Sequence, residues 1–219
     1  MGFDPTVILA NLRPLLAGAW MTLFVSFLAI GIGIVGGLAL CFALLSKRRV
    51  LRAAARAYVS FFRGTPLLGQ LLMAYYFLPP LIGLDLPPLV AAIGALALNT
   101  SAFQAEIYRG AALALPAGQI EAARVLGIST WQTRRTIVIP QMMRLALPSL
   151  INETISILKN SSLISVIAVT DLIRVSQQIV AVSFRPTEIY VAAAFLYLGM
   201  TLMLAAAGRT AERRLGKHV

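Results

Sequence analysis

The sequence has little charge, and acidic residues are especially scarce. Asp, Glu, Lys and Arg make up 12% of the 219 residues, whereas 59% of the residues are hydrophobic. A soluble domain has about 25% charged and about 45–50% apolar residues, so this composition is typical of a protein built into a bilayer. The net charge of +11 lies in clusters between long apolar runs. Such clusters are typical of cytoplasmic loops, so we expect anionic lipid headgroups, and no nucleic acid, as their partner.

Cysteine and histidine are almost absent, which excludes several kinds of site. The one cysteine, Cys41, lies in an apolar run, so no disulfide can form within the chain and a buried thiol is expected. The one histidine, His218, is the penultimate residue and provides neither a metal site nor a catalytic base. The sequence has no HExxH, CxxC or GxxxxGK[ST] pattern. We therefore expect no metal, no bound cofactor and no enzymatic activity, so any ATP hydrolysis must occur on another polypeptide.

Five apolar segments are long enough to cross a membrane, which needs about 20 helical residues each. The predicted spans are residues 15–45, 57–78, 87–108, 141–168 and 189–208. The first apolar run exceeds the core of a signal peptide, about 7–15 residues, so it should remain as a span. Five, four and four Lys and Arg residues lie after the first span, after the third span and in the C-terminal tail. This asymmetry predicts an external N-terminus and a cytoplasmic C-terminus. Six spans with a re-entrant segment is the alternative.

Two features inside the predicted spans indicate close packing and a break. Four glycines of the first span suggest contact with a neighbouring helix at short distance, namely Gly31, Gly33, Gly36 and Gly37. In the second span, Arg63-Gly64-Thr65-Pro66 should break or kink the helix, because proline lacks the backbone N–H. This break is a hinge, a cavity wall or a kink, and we favour a structural part in gating.

Polar side chains inside the predicted spans are candidates for a solute pathway, because they are costly in a bilayer unless they have a function or a partner. Asn99 and Glu106 share one face of the third span, and Glu153 and Asn160 share one face of the fourth. The candidate pathway residues are Asn99, Glu106, Glu153, Lys159, Asn160 and Ser161. The alternative is that they pair with Arg63, Arg109 or Lys159 and hold helices together.

The loop at residues 110–140 is polar and basic, and it carries a motif with fixed spacing. Glu121-Ala122-Ala123 is followed by Gly127 and then by Ile137-Val138-Ile139-Pro140. We expect a short helix from Gly118 to Gly127, ended by that glycine, with small residues on an approachable face. The chain should turn into the membrane after Pro140. An amphipathic helix lying on the lipid is the alternative.

This spacing resembles the EAA motif of ABC importer permeases, with Ile139 where leucine is usual. Other segments resemble the polar amino-acid branch of that family, which includes histidine, glutamine and arginine permeases. These segments are FRGTPLL (62–68), AEIYRGA (105–111), LPAGQIEAARVLGIS (115–129), QTRRTIVIPQMMRLALPSLIN (132–152) and LKNSSLISVIA (158–168). Asn160 stands where that branch often has aspartate, so the likeness gives no ground for a cationic substrate.

The resemblance implies an all-α, polytopic membrane protein with the type I ABC importer permease fold, as one permease domain over residues 1–219. It implies a multi-pass protein of the bacterial cytoplasmic (inner) membrane that dimerises with a second copy or a sister permease. Two cytoplasmic ATP-binding subunits, which hold ATP and Mg, would drive it, and an external binding protein would deliver a polar amino acid.

The resemblance also assigns roles to residues of the loop. The ATPase-coupling residues would be Gln119, Glu121, Ala122, Ala123, Leu126 and Gly127. Pro140 would join the coupling helix to the fourth span, and Arg63, Gly64, Thr65 and Pro66 would serve gating.

Two other classes of membrane protein remain as alternatives. A secondary transporter or channel would act without an ATPase, and a membrane-embedded enzyme or assembly factor would need a catalytic grouping.

Overall fold

The computed structural model describes residues 3–83 and 85–216, and within these ranges the chain is helical and contains no β-strand. His218 lies outside the described residues. The α-helices are α1 (Pro5–Ala10), α2 (Leu12–Leu44), α3 (Arg49–Gly64), α4 (Leu67–Leu72), α5 (Leu78–Ile82), α6 (Pro88–Leu113), α7 (Ala117–Val125), α8 (Thr130–Thr133), α9 (Ile139–Asn160), α10 (Leu172–Ser183) and α11 (Pro186–Gly216). Two π-helical turns, Met73–Phe77 and Arg134–Val138, and one 3₁₀ segment, Ser161–Ile167, join some of them.

Three helices of the described chain are long and apolar enough to cross a membrane. They are α2, α6 and the Pro186–Arg213 part of α11. The segment Thr130–Ile167 gives a fourth candidate together with α10, to which it is bent by 50°. The predicted second span, 57–78, is divided between α3 and the shorter apolar stretch Leu67–Leu81.

Helix α6 lies at the centre of the molecule. In its most apolar stretch 61% of the residues are buried, compared with 17% in α11, and it packs against α2, α3, α4 and α9. Its small buried side chains, such as Ala92 and Ala95, belong to the largest apolar core, together with Val25 of α2 and Ile164. Polar side chains carried by α6 are therefore placed between several helices at once.

Helices α2 and α6 approach each other closely because α2 presents glycines at the contact. A Cβ atom at Gly37 would lie 2.8 Å from Gln104 Cβ and 3.1 Å from the backbone oxygen of Ser101. Cβ atoms at Gly33 and Gly36 would also collide with side chains of α6, whereas a Cβ at Gly31 would meet nothing within 4 Å. The expected close packing is thus confirmed for three of the four glycines.

Gly37→Leu should disrupt this helix pair, whereas Gly31→Leu should not. The leucine at position 37 would be forced against the backbone of α6, and overpacking of this kind typically costs about 1–3 kcal/mol. We expect a clear fall in the thermal unfolding temperature of the detergent-solubilised protein for Gly37→Leu and little change for Gly31→Leu. Equal melting temperatures for the two variants would contradict the packing described here.

Candidate coupling surface and solute pathway

Helix α7 is the helix expected from the Glu121–Gly127 spacing. It spans Ala117–Val125 and ends in a Schellman arrangement, in which the N–H of Ile128 donates to Ala123 O and that of Gly127 to Arg124 O, both at 3.0 Å. Gly127 has φ of +73°, a left-handed conformation that favours glycine. The predicted end of this helix is confirmed, and the glycine fixes where the chain leaves it.

One side of α7 faces the solvent and carries most of the predicted coupling residues. Glu121 and Ala122 are exposed, as is Gln119, whereas Ala123 is buried. Leu126 is 75% exposed. Two apolar neighbours that the sequence reasoning did not select are just as open, Val125 at 88% and Trp131 at 69%. Exposed apolar side chains grouped on a polar loop are typical of a surface that contacts another protein or a membrane.

A direct hydrogen bond joins α7 to the base of α9. The side-chain amide of Gln141 donates to the amide oxygen of Gln119 over 2.7 Å. The helical path that continues into α9 begins at Thr130, where the side chain of Ser129 accepts from the N–H of Gln132. Pro140 lies in the first turn of α9, and the helical path from Thr130 enters α9 there. The π-helical turn Arg134–Val138 just before Pro140 lets the helical path continue although proline lacks an N–H.

The break at Thr65-Pro66 is held together by buried amides. Helix α3 ends at Gly64 and α4 begins at Leu67. Because Pro66 has no N–H, the carbonyl of Phe62 loses its usual helical donor. The side chains of Gln70 (2.9 Å) and Asn99 (3.1 Å) donate to that oxygen instead.

These amides also bond to each other. Asn99 donates to the amide oxygen of Gln70 over 2.9 Å, and Gln70 donates to the backbone and side-chain oxygens of Thr65. Gln70 and Asn99 are each only 5% exposed. We call this group, formed by Phe62 O, Thr65, Gln70 and Asn99, the amide clasp. It ties the broken helix to α6, and it gives Asn99 a structural partner that the sequence did not reveal.

Gln70→Leu should destabilise the break, because it leaves the buried amide of Asn99 without the oxygen that accepts from it and removes a donor from the partly buried carbonyls of Phe62 and Thr65. An unsatisfied buried polar group costs about 1–3 kcal/mol, so we expect a lower melting temperature and faster proteolysis near residue 65. The matched control is Gln177→Leu on α10, where the glutamine is exposed. A Gln70→Leu protein as stable as the Gln177→Leu protein would contradict the role of the clasp.

Glu153 lies between α9 and α6, and within the described part of the chain it accepts a hydrogen bond from one side chain. Thr100 Oγ1, a buried hydroxyl that the sequence reasoning did not select, donates to Glu153 Oε1 over 3.1 Å. Arg63 stacks over the ring of Phe103 on α6, with its guanidinium carbon 5.3 Å from the ring centroid. Glu153 makes no ion pair within 4 Å in the described chain, so its carboxylate retains capacity to accept hydrogen bonds.

The other candidate pathway residues have different surroundings. Glu106 forms an ion pair with Arg109 over 2.7 Å, as the alternative interpretation expected, but both residues belong to α6, so the pair does not join two helices. Asn160 lies 3.5 Å from Ser156 Oγ on the same face of α9. The hydroxyl of Ser161 is buried and donates to Leu158 O. Lys159 is exposed and lines a cavity of about 330 Å³ together with Ser162, Tyr190 and Tyr197. The structure thus places the six residues in separate environments along α6 and α9.

Within residues 3–83 and 85–216, no group of three or more His, Cys, Asp or Glu side chains is arranged to hold a metal ion. Of the acidic residues on α6 and α9, Glu153 accepts a hydrogen bond from Thr100 and Glu106 forms an ion pair with Arg109.

Known proteins resemble this chain over most of its length. A family model described as "Binding-protein-dependent transport system inner membrane component" matches residues 29–217. The octopine transport system permease protein OccM of Rhizobium meliloti is 38% identical over 94% of this chain and 87% of its own length. The glutamine transport system permease protein GlnP of Escherichia coli K12 is also 38% identical, over 98% of this chain and 99% of its own.

Solved structures show the same fold. A structure titled "Crystal structure of an amino acid ABC transporter with histidines" superimposes with a TM-score of 0.89 at 37% identity, covering 98% of this chain and 100% of the other. Inward-facing MetNI, a methionine ABC transporter, gives a TM-score of 0.81 at 23% identity, with 94% and 98% covered, and shows the fold alone. The fold is that of a type I ABC importer permease.

The chain belongs to the family of inner-membrane components of binding-protein-dependent transport systems. It is a transport subunit and not an ATPase, which in such importers is a separate chain.

Proposed function

We propose that this chain forms the transmembrane path for a polar amino acid or a derivative of one, in an importer driven by ATP. The names of the relatives, which include octopine and glutamine permeases, support this class of solute. The observation that carries the proposal is the surface of α7, an exposed helix with fixed termini, hydrogen-bonded to the base of α9. A helix placed in this way can transmit the movement of a bound subunit directly to a membrane span.

We further propose five spans with an external N-terminus and a cytoplasmic C-terminus, all within one permease domain over residues 1–219. The spans would be α2, the broken path from α3 to α5, α6, the path Thr130–Ile167, and α11. The basic first turns of α3 would lie at the cytoplasmic surface, and residues 110–140 would form the cytoplasmic coupling loop. The concentration of Lys and Arg on that side supports this orientation. Membership in a family of inner-membrane components supports the bacterial cytoplasmic membrane as the location.

In the proposed coupling, nucleotide and solute bind with different affinities to two conformations of the transporter. Two ATP-binding subunits, which hold ATP and Mg, would close and move the α7 helices seated in their surface grooves. Each α7 would act on α9 through the Gln119–Gln141 bond and the α8 connection. The free energy for the change must come from the difference in affinity of nucleotide and solute for the two states. Glu121 would anchor α7 by a hydrogen bond or an ion pair, and the exposed Ala122 and Leu126 would permit close contact, whereas the buried Ala123 would pack α7 against its own chain.

For the solute path, we propose α9 and the adjoining face of α6. A zwitterion needs an acceptor for its ammonium group and a donor for its carboxylate. Glu153 would supply the acceptor, and Lys159 and Asn160 would supply the donors, whereas the buried hydroxyl of Ser161 would hold the end of α9 through its bond to Leu158 O. Asn99 and Glu106 would shape the wall through the amide clasp and the Arg109 ion pair. The break at Arg63-Gly64-Thr65-Pro66 would act as the hinge of gating.

The remaining proposed partners are a second permease, either another copy or a sister chain, and an external binding protein. Reconstitution in proteoliposomes tests the function. We expect uptake of a polar amino acid only when ATP, the ATP-binding subunits and the solute-loaded binding protein are all present. Uptake by the purified permease alone would contradict the proposal and indicate a secondary transporter or channel. A panel of amino acids presented to the binding protein would then identify the solute.

A further inference from the structure

A second site lies beside α7, between this helix and the ends of α2 and α6. A cavity of about 250 Å³ lies where the ends of α2 and α6 meet α7, α8 and the turn that leads into α9. Arg124 and Arg134 both line it, and no acidic residue does. Neither arginine is paired with a carboxylate within 4 Å in the described chain. The cavity is therefore positively charged and without an internal counter-charge.

The geometry prepares one of these arginines to bind an anion. The guanidinium carbon of Arg134 lies 5.0 Å from the ring centroid of Phe42, so stacking limits its orientation. Arg134 is half-buried, whereas its neighbour Arg135 is exposed and does not line the cavity. A planar guanidinium held in this way can donate two parallel hydrogen bonds to a phosphate group.

The other residues that line the cavity indicate which kind of molecule the anionic group belongs to. Apolar side chains from the ends of two spans form the wall, and two of them, Leu45 and Leu113, are exposed. The cavity volume of about 250 Å³ lies below the range of about 300–1,000 Å³ that is usual for a ligand site, so the cavity fits a headgroup and not a whole lipid. Basic pockets between helices at the cytoplasmic side of a membrane bind anionic lipid headgroups in this manner.

We propose that this cavity binds the headgroup of an anionic phospholipid, with Arg124 and Arg134 on the phosphate and the acyl chains along Leu45 and Leu113. The site goes beyond the transport path, and its cytoplasmic position rests on the proposed orientation. Because Arg124 belongs to α7 and Arg134 to the turn before α9, a bound lipid connects the coupling helix to its span. Anionic lipid then strengthens the transmission of nucleotide-driven movement.

The experiment uses the intact transporter complex in nanodiscs of phosphatidylcholine with increasing phosphatidylglycerol. Retained phosphatidylglycerol is counted by native mass spectrometry, and ATP hydrolysis stimulated by the binding protein is measured on the same samples. The double variant Arg124→Gln/Arg134→Gln should bind phosphatidylglycerol about tenfold more weakly and lose its stimulation by that lipid. The charge-matched control Arg135→Gln should behave as the unmodified protein. If the double variant does not assemble, each single variant is compared with Arg135→Gln in the same way.

Three results would overturn the lipid site. Equal weakening in Arg135→Gln would show general surface charge, and unchanged binding in the double variant would show that the cavity is not used. Full displacement of the lipid by excess inorganic phosphate would indicate a site for a free anion. Failure of the proposed transport function is distinguishable from all of these, because ATP hydrolysis would then ignore the binding protein at every lipid composition.

Discussion

A Gly127→Asp variant should assemble in the membrane and yet lose most of the ATP hydrolysis stimulated by solute and binding protein. Gly127 has φ of +73°, a conformation that costs residues with a Cβ about 1–2 kcal/mol, and aspartate is at the lower end of this range. A steric clash is not expected, because a Cβ atom at position 127 would have no other atom within 4 Å. The strain shifts the end of α7, and the carboxylate adds a negative charge beside the exposed coupling face. We expect a loss of tenfold or more in stimulated hydrolysis.

The matched control is Gly118→Asp, which adds the same charge to the same helix. Gly118 also has open space around its Cβ position but does not need positive φ. Its stimulated hydrolysis should remain within about twofold of the unmodified complex. Glu121→Lys, which reverses an exposed charge on the coupling face, should be as damaging as Gly127→Asp. Full stimulation in Gly127→Asp and Glu121→Lys would contradict the assignment of α7 as the docking helix.

Glu153→Gln should reduce solute uptake by roughly 10- to 100-fold while leaving the complex intact. A hydrogen bond to a charged group contributes about 1.5–3 kcal/mol, which corresponds to that range of affinity. The glutamine keeps the shape of the side chain and can still accept from Thr100, which lies 3.1 Å from the carboxylate. The change therefore removes the negative charge offered to the ammonium group of the solute and little else.

Uptake into proteoliposomes measures this effect, and the affinity of the binding protein for solute serves as an internal standard. Glu212→Gln on α11, far along the chain from the polar residues of α6 and α9, is the control and should transport normally. Thr100→Val tests the same site by removing the hydroxyl that donates to Glu153, and it should alter solute preference to a smaller degree than Glu153→Gln. Unchanged transport and unchanged preference in Glu153→Gln would exclude a direct contact between Glu153 and solute.

Local features of this fold could be predicted from the sequence because they depend on backbone chemistry. Pro66 cannot donate a hydrogen bond and Gly127 can adopt positive φ, so the break and the helix end follow from residue type. Small residues at Gly33, Gly36 and Gly37 likewise indicate a close helix pair, although only the structure shows that α6 is the partner.

Other features could not be predicted, because they depend on which helices meet. Helical spacing places Asn99 and Glu106 on one face, but it does not show that Asn99 bonds to Gln70 and the Phe62 carbonyl across the break. The role of Thr100 could not be predicted either. A threonine in a predicted span gives no signal by itself, and only the packing of α9 against α6 places Glu153 beside it. The continuous helical path from Thr130 into α9 was also not evident from the sequence, because it depends on the π-helical turn that precedes Pro140.

Cross-linking from the exposed end of α7 tests the central claim most directly. The single native cysteine, Cys41, is fully buried, so a cysteine introduced at an exposed position can be labelled selectively with a photoreactive group. Val125→Cys on α7 and Val182→Cys on α10 are matched probes, since these valines are 88% and 83% exposed. In the assembled complex, the label at position 125 should form an adduct with the ATP-binding subunit, and the label at position 182 should not. Equal adducts from both positions, or none from position 125, would contradict the account of α7 as the coupling helix.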